Sequence, residues 1–170
     1  LEILQGAETE ILKDGSIDMT RADRAKLDYV IGSVHSAFKL ERKEQTARVL
    51  KAIENGIDIL GHPTGRRIMG KGRTGIDVDL EQVAIKAKSA GVLLEVDGTP
   101  DRLDLWGEAI QACRQQGATF VIDSDAHSIS ELKFMEYGVM QARRGWLTRK
   151  EVANAQPLSS FSRFLGHSKK

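Results

Sequence analysis

The chain has 170 residues, a formal net charge of +1, 41% hydrophobic residues and 29% charged residues. This composition is typical of one soluble globular domain with a buried core, and the near-neutral charge means that any basic surface must be local. No apolar run approaches the ~20 residues of a membrane span and no signal peptide is visible, so we expect a cytoplasmic protein with no membrane partner. The single Cys113 excludes an internal disulfide and is expected to pack on a helix.

Short apolar runs alternate with helical patterns along the chain. Strands are predicted over residues 1–12, 28–36, 57–63, 92–98 and 119–127, and helices over residues 41–55, 79–91, 105–117 and 129–145. Asp79 is the predicted N-cap of its helix, and Gly91 is its predicted C-terminal stop. We expect the last long helix to be interrupted near Gly138, and short helices to fill a tail over residues 149–170.

Strands that alternate with helices about every thirty residues predict βα units around a parallel sheet or barrel. Five such units fit into the chain, whereas a closed barrel of eight units needs ~250 residues. The sequence therefore predicts either an open sheet or most of a barrel whose first units are absent. The start at Leu1, without an initiator Met, favours a single-domain fragment, residues 1–170, that lacks the first units. Its unpaired strand edges would then lower stability or promote self-association.

Imidazoles and carboxylates follow the predicted strands. Because the C-terminal ends of parallel strands converge on one mouth, we expect these groups to meet. His167, in the C-terminal tail, is given no role. The strand-end groups, in chain order, are Glu8, His35, His62, Glu95, Asp97, Asp125 and His127.

Each of these residues, taken alone, is more often an ordinary hydrogen-bonded or solvated side chain, but the set indicates a metal site. Mixed histidine and carboxylate ligands suit Zn²⁺, Mn²⁺ or Fe²⁺, and Glu8 could bridge two cations about 3.5–4 Å apart. Strand alternation alone does not decide whether Asp123 or Asp125 joins His127 at the mouth. No nucleophile motif for acyl transfer is present, and GKGRTG (70–75) lacks the features of a nucleotide-binding P-loop.

Basic residues cluster after the third and fourth predicted strands. Arg66 and Arg102 each lie just beyond a strand end, and both are predicted to bind substrate phosphate, since guanidinium groups contact phosphate bidentately. Arg67, Lys71 and Arg73 are as readily explained as solvated charges on a glycine-rich loop.

Six motifs resemble the PHP (polymerase and histidinol phosphatase) domain, and in particular the C-terminal PHP domain of bacterial and archaeal family X DNA polymerases. The motifs are GAETEIL (6–12), SVHSAF (33–38), DILGHPTGR (58–66), PDRLDL (100–105), DSDAHS (123–128) and YGVMQARRGWLT (137–148). This resemblance implies a distorted (β/α)7 TIM-like barrel, of which about five units are present.

The resemblance also implies a site and an activity. Its ligands would be Glu8, His35, His62, Asp125 and His127, holding up to three divalent metals, usually Mn²⁺ and sometimes Zn²⁺ or Fe. The reaction would be phosphoester hydrolysis, as 3′–5′ exonuclease and 3′-end processing of DNA in repair. The partners would be DNA ends and an N-terminal polymerase domain in the same parent chain.

Two departures from the family pattern leave alternatives open. The family's first H-x-H metal motif and its next histidine motif are missing, and EVDGT (95–99) stands where the family often carries Asn-rich sequence. Glu95 and Asp97 are therefore not predicted as ligands. The alternatives are a free-standing phosphatase of the histidinol phosphate type and a non-catalytic truncated scaffold. As an isolated chain, the protein is expected to have weak or no activity.

Overall fold

The five predicted strands form one parallel sheet in the computed structural model, which describes residues 2–166. The strands lie side by side in chain order, so every connection crosses from one strand to its immediate neighbour. Their bounds are β1 Gly6–Glu10, β2 Tyr29–Ser33, β3 Ile59–Leu60, β4 Leu93–Asp97 and β5 Phe120–Asp123. The predicted α/β class and the five βα units are confirmed. Within residues 2–166 the sheet is open and does not close into a barrel.

Helices and 3-10 turns connect the strands and form the C-terminal tail. Their bounds are α1 Arg21–Arg24, α2 Arg42–Glu54, α3 Leu80–Ala90, α4 Gly107–Gln115, α5 Met135–Arg144 and α6 Leu158–Phe161, and 3-10 turns cover Ile129–Phe134, Arg149–Glu151, Ala153–Ala155 and Ser162–Phe164. Asp79 accepts a hydrogen bond from the Gln82 amide as the N-cap of α3, and Gly91 ends that helix in the left-handed region, both as predicted. None of the helices in this part of the chain has the length and apolar composition that a membrane span requires.

The two faces of the sheet differ in chemistry, because alternate side chains of a strand point to opposite faces. One face packs against the helices in the main core, where Val30, Leu60 and Leu94 lie. The other face is apolar at its base, where Ile59, Leu93 and Val121 pack with the tail residues Phe161 and Phe164. Towards the C-terminal strand ends the same face turns polar. The sheet therefore carries ionisable side chains at its mouth over an apolar base.

Gly138 does not interrupt the last long helix, so that expectation was wrong. The break lies at Phe134, where a 3-10 turn gives way to α5, and the helix runs through Gly138 without a kink. A side chain at Gly138 would lie 2.7 Å from the Ile122 side chain and 3.1 Å from the Val96 carbonyl. The glycine therefore allows α5 to pack closely on β4 and β5.

The outer edge of β5 is covered by the chain that follows α5. The Asn154 side chain accepts a hydrogen bond from the Ile122 amide (3.1 Å) and donates one to the Ile122 carbonyl (2.6 Å). A parallel bridge joins Phe120 to Val152 next to it. The Asn154 side-chain amide thus makes the hydrogen bonds that a residue of a neighbouring strand would make, so the backbone amide and carbonyl of Ile122 have partners at this edge.

Asn154→Ala should lower the free energy of unfolding by about 2 kcal/mol, because it leaves the amide and the carbonyl of Ile122 without their partner. Denaturant unfolding measures this loss. Gln115→Ala, at an exposed amide in the last turn of α4, is the matched control and should change stability by less than about 0.5 kcal/mol. Equal losses in the two variants would contradict this role of Asn154.

Candidate metal centre

Three side chains from consecutive strands converge at the mouth of the sheet. Glu8 lies within β1, His35 follows β2, and His62 follows β3. One oxygen of Glu8, Oε1, lies 3.3 Å from His35 Nε2 and 2.9 Å from His62 Nε2. The imidazole rings stand edge to face, with centroids 5.1 Å apart. Among residues 2–166 these three form the one group whose candidate ligand atoms all lie within 4.8 Å of one another.

His62 carries the clearest sign that this cluster suits a cation. Its side chain is 2% exposed, its Nδ1 has no hydrogen-bond partner in the described part of the chain, and its Nε2 has the Glu8 carboxylate at 2.9 Å as its one ionic contact there. Buried polar atoms almost always have partners, so we expect a further group to bind this imidazole. Metal–ligand distances of ~2.0–2.2 Å in a tetrahedral site separate the ligand atoms by roughly 3.4 Å, which is close to the spacing here. The donor set therefore fits a divalent cation.

The protonation states within the cluster also suit a cation. The imidazole of His35, and after it that of His62, holds the pKa of Glu8 well below its usual range, so this carboxylate is ionised. The Glu8 carboxylate in turn raises the pKa of His35. A cation that binds here must displace the proton that His35 gains from this contact.

Glu10 and Arg48 orient His35, and the sequence analysis missed both. The Glu10 carboxylate accepts a hydrogen bond from His35 Nδ1 (2.9 Å), so Nδ1 carries the proton and Nε2 is left to bind a metal. Arg48, whose side chain is fully buried, lies 3.1 Å from the other oxygen of Glu10. The signal for Glu10 was present, since it lies two residues after Glu8 and therefore on the same face of β1.

Asp125 and His127 line the same cavity as Glu8 and His62 but stand outside the tight cluster. The cavity measures about 370 Å³. His127 is 79% exposed, and its Nδ1 donates to the Asp125 carbonyl (2.8 Å), which leaves Nε2 available as the ligand atom. Because β5 ends at Asp123, the loop backbone and not strand alternation sets these two side chains. Asp125 adopts a left-handed φ of 43°, a conformation that is uncommon outside glycine.

Three more carboxyl groups lie at the ends of β4 and β5. Burial raises the pKa of Asp97 to about 7 and that of Asp123 to about 7, and it raises the pKa of Glu95 well above its usual value. The side chain of Glu95 accepts a hydrogen bond from the His62 amide, which ties β4 to the metal cluster. Glu95 and Asp123 also line the cavity, so the mouth holds more carboxyl groups than the predicted ligands alone.

The two arginines predicted to bind phosphate both make contacts within the protein. Arg66 donates to the carbonyls of Arg102 (2.9 Å) and Leu103 (2.5 Å), and its guanidinium group lies 4.4 Å from the ring centroid of Trp106. Arg102 lies 3.7 Å from both Asp97 and Asp125. Arg102 therefore stands beside a predicted metal ligand, whereas Arg66 joins the loops after β3 and β4. Their role in phosphate binding stays a prediction.

The chain is similar over most of its length to proteins of known classes. It is 40% identical over 164 residues to the DNA polymerase/3′-5′ exonuclease PolX of Bacillus subtilis, an alignment that covers 96% of this chain and 28% of that protein. The resemblance to the PHP domain of family X DNA polymerases is confirmed. No model of a known protein family matches the sequence.

Bacterial phosphatases are also similar to the chain. A probable phosphatase of Clostridium acetobutylicum is 30% identical over 136 residues, covering 74% of this chain and 52% of the phosphatase. One from Thermoanaerobacter pseudethanolicus is 27% identical over 166 residues, covering 91% and 64%. The chain thus spans little more than a quarter of the polymerase and between half and two thirds of these phosphatases.

Glu10→Gln should weaken Mn²⁺ binding by about tenfold. The Glu10 carboxylate holds the proton on Nδ1 of His35 and fixes the orientation of the ring, and its loss removes both constraints. Isothermal titration calorimetry gives the affinity, and long-range ¹H–¹⁵N spectra show which nitrogen of His35 carries the proton. Glu54→Gln, on the exposed surface of α2, is the matched control and should leave both unchanged. An unchanged tautomer together with unchanged affinity would argue against the orienting role.

The metal-free protein should lose stability as the pH rises from about 4 to 8. Asp97 has a higher pKa in the folded chain (about 7) than the ordinary value of 3.8, so the fold binds this proton more tightly than the unfolded chain does. Its stabilisation is complete below pH 4 and is lost as the carboxyl group ionises. The loss is at most roughly 4 kcal/mol for a shift of this size.

Asp97→Asn should reduce the slope of this dependence, because an amide at position 97 does not ionise; Glu95 and Asp123, whose pKa values are also raised, keep the remainder. Denaturant unfolding in EDTA at several pH values measures the slope. Asp18→Asn, at an exposed carboxylate, should leave the slope of the parent protein in place. If Asp97→Asn followed the parent curve at every pH, burial of Asp97 would not be the cause.

Proposed function

We propose that this chain provides a metal centre for a metal-dependent phosphoesterase. The observation that carries the proposal is the convergence of Glu8, His35 and His62, in which the buried imidazole of His62 turns Nε2 to Glu8 and has no hydrogen-bond partner for Nδ1 within residues 2–166. The similarity to a DNA polymerase/exonuclease and to probable phosphatases supports the same reaction class, since both act on phosphate esters.

The proposed ligands divide into a tight group and an outer pair. Glu8, His35 and His62 form the tight group and would hold a cation through the Glu8 carboxylate and Nε2 of each imidazole. Asp125 and His127, on the far wall of the cavity, would contribute to the other cations. We propose Mn²⁺, with Zn²⁺ or Fe²⁺ as alternatives and up to three ions in a complete site. These ions would supply Lewis-acid chemistry, activating a water nucleophile and neutralising charge on the phosphoryl oxygens.

The side chains of this chain prepare that chemistry before a substrate binds. Hydrogen bonds to Glu10 and to the Asp125 carbonyl engage Nδ1 of His35 and of His127, which leaves Nε2 as the ligand atom of each ring. Two imidazoles keep Glu8 ionised. In the overall reaction, water adds to phosphorus, the bond from phosphorus to the leaving oxygen breaks, and that oxygen takes up a proton. Arg102 is the proposed phosphate contact nearest to Asp125.

We propose DNA 3′ ends as the substrate of the whole protein, with 3′–5′ exonuclease activity in repair and a polymerase domain in the same parent chain. The similarity to PolX over 96% of this chain supports that substrate. A cytoplasmic location agrees with the buried Cys113, whose pKa is raised to about 12 by burial and which is therefore an inert thiol. The phosphatase relatives favour a second candidate, hydrolysis of a small phosphomonoester.

Mutation of the tight cluster should abolish metal binding and hydrolysis together. We expect His62→Ala and Glu8→Gln to weaken Mn²⁺ binding at least tenfold, because each removes one of three converging ligands. Calorimetry on this chain gives the affinity, and Mn²⁺-dependent release of nucleotides from single-stranded 3′ ends by the whole protein gives the activity. Asp14→Asn, at an exposed carboxylate, is the control. Full activity in His62→Ala would overturn the assignment.

Competition between substrates separates the two candidate reactions. Histidinol phosphate and a DNA 3′ end are offered to the same Mn²⁺-loaded protein, and the ratio of kcat/KM decides between them. A preference for histidinol phosphate would replace the nuclease by the phosphatase candidate. Metal binding without hydrolysis of either substrate would support a non-catalytic scaffold.

A further inference from the structure

A second feature of the mouth lies beside the metal centre, in the loops that follow β3 and β4. The β3–α3 loop begins at Gly61, carries His62, and folds back on itself over residues 64–75. It is tied to the β4–α4 loop by hydrogen bonds from the Ile68 amide to the Asp101 carbonyl (2.7 Å) and from Arg66 to the Arg102 carbonyl (2.9 Å). The two loops enclose a groove of about 610 Å³. Six of the residues that line this cationic groove are Arg66, Arg67, Ile68, Lys71, Arg73 and Trp106.

The backbone fixes two like charges opposite each other in this groove. Arg67 and Arg73 form an antiparallel bridge in which each amide donates to the other's carbonyl, at 2.8 and 2.7 Å. Side chains that face each other in such a pair are neighbours, and two cations there are destabilising. The tip of the turn, at Gly70 and Gly72, stands in the left-handed region, and a side chain at Gly70 would meet nothing within 4 Å. The hairpin therefore keeps Arg67 and Lys71 exposed near its tip, while Arg73 is partly buried.

The positive charge of the groove is only partly compensated. Residues 65–75 contain four cationic side chains and no acidic one. Arg67 pairs with Asp101 across the groove at 3.3 Å. Lys71 is exposed at the tip and makes no ion pair with any residue in the described range 2–166. Burial is the main cause that lowers the pKa of Arg73, and repulsion from Arg102 and Arg67 adds to it.

Apolar surface accompanies this charge. Ile68 is 51% exposed and Met69 is 58% exposed on the same hairpin. Trp106 lines the groove from the β4–α4 loop. Cations beside exposed apolar side chains suit a ligand with phosphates on one side and bases or sugars on the other, and they suit a bare inorganic anion less well.

We propose that the cationic groove binds the phosphate backbone of a single-stranded DNA segment and leads it to the metal centre. This inference rests on the proposed function, because it names the track along which that substrate reaches His62. Arg67 and Lys71 contact phosphates, since they are the exposed cations, while Arg66 and Arg73 shape the groove through their contacts with the Arg102, Leu103 and Gly65 carbonyls. Ile68 and Met69 pack against bases or sugars.

Charge reversal in the groove tests the proposal without any chemistry. The probe is a fluorescent single-stranded oligothymidylate of about 12 nucleotides, bound in EDTA and followed by anisotropy at several salt concentrations. Arg67→Glu/Lys71→Glu should weaken binding at least tenfold and reduce the slope of log affinity against log salt by about 1.4, the value for two lost phosphate contacts. The neutral pair Arg67→Gln/Lys71→Gln should give a smaller loss of the same sign, and thermal melts establish that each variant is folded.

Arg42→Glu/Lys43→Glu is the matched control. Arg42 resembles Arg67 in exposure (56% against 52%) and likewise pairs with carboxylates, Asp77 at 2.9 Å and Asp79 at 3.6 Å, but it lies on α2. The control has the same change in net charge and should alter affinity less than threefold. Equal losses in both double variants would indicate a general charge effect and overturn the groove. Binding of thymidine monophosphate or of duplex DNA as tight as that of the single strand would also overturn it.

The failure of this proposal is distinguishable from failure of the metal centre. Arg67→Glu/Lys71→Glu should keep the Mn²⁺ affinity of the parent chain, measured by calorimetry. Glu8→Gln should lose Mn²⁺ binding and keep oligothymidylate binding in EDTA. Normal oligothymidylate binding in Arg67→Glu/Lys71→Glu would contradict only the proposed DNA-binding groove. Unchanged Mn²⁺ binding in Glu8→Gln would contradict only the proposed metal centre.

Discussion

The buried guanidinium group of Arg48 is the contact on which the mouth of the sheet depends. It donates to the carbonyls of Ile11, Leu12 and Ser36 and lies 3.1 Å from the Glu10 carboxylate, so it joins α2 to the segments that leave β1 and β2. An unpaired buried charge costs several kcal/mol, and these partners are what makes the burial of Arg48 tolerable. Glu10 is thereby fixed where it orients His35. A helix residue far from the cavity thus sets the geometry of the proposed metal ligand.

The ends of β4 and β5 bring several carboxyl groups together, which destabilises their ionised forms. Glu95, Asp97, Asp123 and Asp125 lie near one another, and Arg102 is the guanidinium group that the structure places within 4 Å of two of them. Burial raises the pKa of the first three, which means that full ionisation of this wall is unfavourable. The clustered carboxylates at the mouth therefore lower the stability of the fold, as is common at functional sites.

The sequence predicts the elements well where local chemistry decides them. Apolar runs locate the strands, and the caps at Asp79 and Gly91 locate the bounds of α3. Prediction fails where tertiary contacts decide. Gly138 looks like a helix breaker, but it serves close packing against Ile122. Arg48 looks like a solvated charge between the apolar positions of α2, and no local pattern indicates its hydrogen bonds to three carbonyls. The left-handed backbone of Asp125, likewise, follows from the fold around it and not from its neighbours in sequence.

The arginines illustrate why nearness to a strand end is an ambiguous signal. Arg66 and Arg102 were selected because they follow strands, yet strand ends are also where loop carbonyls and carboxylates accumulate. Both guanidinium groups find those partners, Arg66 at two carbonyls and Arg102 beside Asp97 and Asp125. A phosphate that contacts Arg102 must compete with two carboxylates for it. Cations further along the loop face less of this competition, since Lys71 makes no ion pair within residues 2–166 and Arg67, although it lies 3.3 Å from Asp101, is 52% exposed. Availability to an external anion therefore rises with distance from the sheet, opposite to the trend that strand-end proximity suggests.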